Sequence, residues 1–122
     1  MDMQDSSLTF FRNMYLIAMA DGKVADEEEA LLTEVAQKMG INEEEQEAIK
    51  DNAEILGFFV PNDPKERLEH LEQIVRMMMV DSEIHDKEYQ LCLQYADKSG
   101  HDQSIFEKVI DKIMDEKNAA SR

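Results

Sequence analysis

Leu8, Phe11, Tyr15 and Ala18, with Met14 and Ile17 beside them, recur at three- and four-residue steps and mark the apolar stripe of a helix. Asp5 or Ser6 can cap its start, and Asp21-Gly22 closes it, because glycine adopts the left-handed conformation that ends helices. A second helix opens at Asp26, with Glu27, Glu28 and Glu29 near the positive end of its dipole. Leu31, Leu32, Val35, Ala36 and Met39 give its inner face, and Gly40 stops it. Asn42 and Glu45 have the spacing of a capping box before a third helix, whose apolar positions are sparse until Ala48, Ile49, Ile55 and Leu56.

Residues 57–62, with Pro61 among them, read as a connector. Asp63-Pro64-Lys65-Glu66 then combines an acidic cap, proline at the first helical position and a glutamate in the first turn. The fourth helix carries Leu68, Leu71, Ile74, Val75, Met78 and Met79. A fifth runs from Asp86 to about Lys98, burying Leu91, Cys92, Tyr95 and Ala96, with Gly100 as its stop. A sixth follows Asp102 with Ile105, Phe106, Val109, Ile110, Ile113 and Met114, and residues 118–122 form a frayed tail. No segment has the alternation of a strand, so the fold class is all-α.

The pattern repeats. Aligning 20–49 with 80–109 needs no gap, and Asp21, Asp26, Glu28, Leu31, Ala36, Lys38, Gly40 and Glu47 are identical to Asp81, Asp86, Glu88, Leu91, Ala96, Lys98, Gly100 and Glu107. One supersecondary unit seldom buries its apolar face alone, whereas two copies can cover each other. The expected architecture is a single domain over 1–122, a pseudo-twofold tandem repeat of three-helix units with halves of about 5–56 and 63–117.

Composition narrows the partners. The 43% of hydrophobic residues suits a folded core. Thirteen Lys and Arg against 28 Asp and Glu leave a net charge of −15, which opposes nucleic acid and anionic membrane surfaces and favours cations, basic partner segments or plain solubility. With Cys92 as the sole cysteine, neither an internal disulfide nor a thiolate zinc site can form, and a reducing cytoplasm is the expected compartment. The acidic N-terminal residues do not resemble a signal peptide, and the longest apolar run, 14–20, is too short for membrane insertion.

Chemistry concentrates in the acidic turn 21–28 and its copy 81–88. The turn looks like the second half of an EF-hand loop, but the first and third ligand positions would fall on Ile17 and Met19, or on Met77 and Met79, none with a hard oxygen donor. Asp21, Asp26 and Glu28 with Asp81, Asp86 and Glu88 could converge about a twofold axis, where so many carboxylates call for a hard divalent cation, calcium or magnesium ahead of zinc, or a basic protein partner. The alternative is that Asp26 and Asp86 are N-caps, Glu28 and Glu88 are first-turn residues favoured by the helix dipole, and the chain is a protein interaction module.

Met19-Ala20-Asp21-Gly22 with Val24, Asp26 and Glu28, then Leu31, Leu32, Val35 and Ala36, resemble the TerB-like family, as does the echo at Asp81, Asp86 and Glu88. The family is named for tellurite-resistance proteins and also occurs as an accessory domain of some J-domain co-chaperones. The resemblance covers nearly the whole chain. It implies an all-helical pseudo-twofold domain, a metal-linked surface of inter-helix acids, and a stress or metal-response setting. Ser82 departs from the pattern by replacing the turn glycine, and there is no J-domain His-Pro-Asp motif.

Other features have two readings each. Phe58-Phe59 before Pro61 is either a partner-docking patch or a plug between the halves. His85 is either an exposed loop residue or a donor to a softer metal; His70 and His101 read as surface residues. Met77-Met78-Met79 reads as core filler and Cys92 as an inert buried thiol. Nucleophile elbow, phosphate loop and zinc-protease motifs are absent, so the expectation is a protein without catalytic activity.

Overall fold

A computed structural model describes residues 3–20, 22–80 and 84–120 of the chain. Each apolar stripe becomes one helix: α1 (Met3–Ala18), α2 (Asp26–Met39), α3 (Glu43–Leu56), α4 (Pro64–Met79), α5 (Asp86–Lys98) and α6 (Gln103–Ala120). The described residues contain no strand. None of their helices is long and apolar enough to cross a membrane.

Two helices are central because their stripes are widest. α1 packs against α2, α3, α4 and α5, while α4 packs against α1, α5 and α6. Phe11, Met14, Ile17 and Ala18 of α1 meet Leu71, Ile74, Val75, Met77 and Met78 of α4 in one core cluster, closed by Leu32, Ala53, Tyr95, Phe106 and Ile113 from the outer helices. All of Met77, Met78 and Met79 are buried, as core filler would be. Unbranched thioethers fit the irregular gap that three consecutive inward-facing residues leave.

The helix ends follow from local chemistry. Gly40, at φ 71°, closes α2, and the Ile41 N–H reaches back to Ala36 O at 2.9 Å. Gly100, at φ 82°, follows α5, and the His101 N–H reaches Ala96 O at 2.8 Å. Both use the glycine-dependent left-handed closure that satisfies the last free carbonyls. Asn42 Oδ1 accepts from Glu45 N–H at 2.8 Å, and Glu45 returns the bond to Asn42 N–H. Asp102 Oδ1 accepts from Ile105 N–H at 3.0 Å, and Asp63 Oδ1 from Lys65 N–H at 3.0 Å, with Pro64 in the first helical position.

Several expectations change. α1 starts at Met3, before the expected caps, and α6 runs through residues 118–120 instead of fraying there. Ile55 is 84% exposed, because it lies about 140° around α3 from the stripe of Ile49 and Ala53. Met39 and Met114 are exposed although their spacing turns them inward. Lys50 bridges α3 to Glu29 of α2 at 3.8 Å, and Arg76 and Lys112 pair across α4 and α6 with Glu116 and Glu72. Such exposed pairs each stabilise by well under about 1 kcal/mol.

Candidate functional site

The first turns of α2 and α5 are built alike. Ala25 and His85 hold the extended N-cap positions, so Asp26 and Asp86 are the first helical residues rather than caps. This corrects the cap assignment: the caps are one residue earlier, and both aspartates stand exposed at the positive helix ends. Glu28 and Glu88 occupy the third helical position and are 2% and 1% exposed. Glu28 Oε1 accepts from Ala25 N–H at 2.9 Å, half of a capping box, since alanine has no side chain to return the bond. Glu88 lies one helical turn before Cys92, whose thiol is pushed well above its usual value by burial and by the Glu88 charge. That thiol points its hydrogen at Ile74 O, 3.7 Å away, and is inert as a nucleophile.

Of the six expected metal ligands, the structure thus describes Asp26, Glu28, Asp86 and Glu88; Asp21 and Asp81 lie outside the described residues. Ala20, which leads directly into Asp21, lines a hollow of about 350 Å³ with Asp86, Lys87, Gln90 and Leu91 of α5. The corner that ends α1 therefore meets the acidic first turn of α5, from the other half of the chain. Among the described residues alone, no three His, Cys, Asp or Glu side chains are arranged to hold a metal ion.

A larger groove, about 1160 Å³, runs between α2 and α3 and is rimmed by Glu29, Glu43, Glu44, Glu47 and Asp51. That rim is predominantly acidic.

The connector 57–62 is held by α1 and α4. Arg12 Nε donates to Gly57 O at 3.0 Å, and Arg67 Nε to Pro61 O at 2.6 Å. Asn13 grips the backbone of Phe59 twice, accepting from its N–H at 2.9 Å and donating to its carbonyl at 2.8 Å. The Phe58 ring meets the Tyr95 ring edge-on, 5.7 Å between centroids. Phe58 and Phe59, the expected partner-binding pair, are half-buried in this arrangement.

His70 is not the surface residue its polarity suggests. It is buried, 3.2 Å from the Asn13 amide through Nδ1 and 4.7 Å edge-on from the Phe10 ring. Desolvation lowers its pKa to about 4, so the ring is neutral near pH 7. The Asn13 amide donates to Nδ1, which leaves the ring hydrogen on Nε2. His101 is partly buried against Ser99 Oγ at 2.9 Å. A usable signal existed for these residues: Asn13, Glu28, His70 and Glu88 each stand four residues before Ile17, Leu32, Ile74 and Cys92, in the register of the apolar stripe.

Residues 2–51, which run from α1 into α3, match the family model described as tellurite resistance protein TerB. No curated protein and no solved structure matches the chain.

Proposed function

We propose that the chain, whose residues 2–51 match the TerB family model, is a non-enzymatic TerB-like binding domain made of one three-helix unit stated twice, whose acidic corners take a divalent cation or a basic partner segment. The repeat reading is supported by bonds sixty residues apart. Ile41 N–H to Ala36 O corresponds to His101 N–H to Ala96 O, and the Asn42 cap to the Asp102 cap. Phe10 and His70, equivalent positions on α1 and α4, touch each other, as residues beside a twofold axis must.

The observation that carries the binding reading is the meeting of Ala20 with Asp86 and its neighbours in one hollow. It brings the chain entering Asp21 to the acidic turn of the opposite half. Buried carboxylates at Glu28 and Glu88 gain from any positive charge brought near, whatever bonds they already make. Oxygen donors alone favour calcium or magnesium over zinc. The acidic α2–α3 groove supports the basic-partner form of the same reading. The stress or metal-response setting rests on the family's description alone.

Thermal melting in chelator and then in calcium, magnesium, manganese or zinc tests the cation. An ion at about 100 times its dissociation constant adds about 2.7 kcal/mol, a rise of several degrees. Asp26→Asn with Asp86→Asn, at exposed positions that leave the core alone, should remove most of that rise. No shift with any ion, or the same shift in the double variant, overturns the cation reading.

A further inference from the structure

The two halves differ in what lies over one face of each. In the second half, the α5 surface around Tyr95 is covered by the connector: Phe58 packs on Tyr95, and Asn13 of α1 clamps the Phe59 backbone beside His70. Sixty positions away, the corresponding residues are Val35 for Tyr95, Gln73 for Asn13 and Phe10 for His70. These three line an open groove of about 490 Å³ between α2 and α4, together with Leu31, Met39 and Arg76. No described residue closes it. The segment sixty residues after the connector, 117–122, has no aromatic or large aliphatic side chain, and through Ala120 it continues α6. Met39, inward by its helical spacing, is 36% exposed because it borders this groove.

We infer that the α2–α4 groove is a docking site for an extended segment of a partner protein, one with an aromatic or large aliphatic anchor flanked by Lys or Arg. The inference rests on the repeat reading above, since the occupied face of α5 supplies the template. The anchor takes the place over Val35 that Phe58 takes over Tyr95. Gln73 carries the same amide as Asn13 one methylene farther out, and can give one backbone unit the same pair of bonds. Charge selects the occupant. At −15 a second copy of the chain is repelled, and the rim is locally neutral through Glu34–Lys38 at 3.0 Å and Arg76–Glu116 at 2.7 Å. The carboxylates of Glu29, Glu43 and Glu47 across α2 then attract cationic flanks.

The probe is a synthetic peptide repeating residues 57–62 with lysines added at both ends, titrated into the full chain in chelator. Fluorescence anisotropy measures affinity, and methyl chemical shifts locate the site. Saturable binding is expected, with shifts at Leu31, Val35 and Met39. Replacing both peptide phenylalanines by serine should weaken it about tenfold or more, as loss of a central anchor does. Met39→Lys, at an exposed rim position that spares the fold, should do the same, and Val35→Glu more strongly. No saturable binding, shifts confined to other faces, or indifference to the phenylalanine swap overturns the inference. Concentration-dependent self-association giving the same shifts without peptide overturns it in favour of a second copy. Chelator separates this result from the cation test, and an experimental structure whose halves fail to superimpose would remove the repeat reading whatever the titration gives.

Discussion

Asn13 ties α1 to the connector and to α4, because its amide bonds the Phe59 backbone and the His70 ring at once. Asn13→Ala leaves the half-buried Phe59 N–H and the His70 acceptor without that amide, a loss of about 2–4 kcal/mol. Urea unfolding monitored by circular dichroism should show it as a lower midpoint with an unchanged slope. His70 adds a pH dependence whose sign follows from its depressed pKa. The unfolded ring takes up a proton near pH 6.5, whereas the folded ring resists until about pH 4. Between those values the unfolded state binds more protons, so stability is complete above pH 6.5 and falls as pH drops toward about 4. The full loss is on the order of 3 kcal/mol. His70→Gln should flatten that part of the stability profile, and an unchanged slope between pH 6.5 and pH 4.5 would refute the assignment. The sequence shows Asn13 and His70 only as polar residues in apolar register; that they meet depends on two helices whose contact is 57 residues apart along the chain.

Helices were legible because their causes are local. The Asn42–Glu45 box, the Asp63-Pro64 start and the glycine stops are contacts between residues a few positions apart, and each forms as its spacing predicts. Gly40→Ala places a Cβ at φ 71°, which should reduce stability by about 1–2 kcal/mol although open space surrounds it. Ile55→Lys, at the exposed side of α3, should change stability by less than about 0.5 kcal/mol and improve solubility. Differential scanning calorimetry of the two variants checks both. Element boundaries were less legible. Ala25 and His85 hold the extended dihedrals that define the N-caps, although local propensity favours the aspartates that follow them. Among its described side chains α3 buries only Ala53 fully, while α6 buries Phe106, Val109 and Ile113, so the two helices carry unequal shares of the core.

For the whole molecule, charge is the dominant long-range term. At −15 the folded chain repels itself more than the expanded one, and screening relieves it. The melting temperature should rise between 10 mM and 300 mM sodium chloride, about where the Debye length shrinks below the spacing of neighbouring acids. A divalent ion bound at the corners would raise it further at constant ionic strength, which separates site binding from screening. The same excess of carboxylates underlies the proposal of cationic segments at the α2–α3 groove and beside the open α2–α4 groove.

By itself the sequence determined the helices, the Asn42 and Asp63 caps, the connector, the acidic turns and the resemblance to TerB, because each is written in spacing that a few neighbouring residues enforce. Tertiary structure decided what those elements do to one another. It buried Glu28, Glu88, Asn13 and His70, laid the connector over Tyr95 and left the corresponding face of α2 open. Burial is a property of the surfaces that arrive from elsewhere in the chain, and identical local patterns end covered or bare according to which segment reaches them.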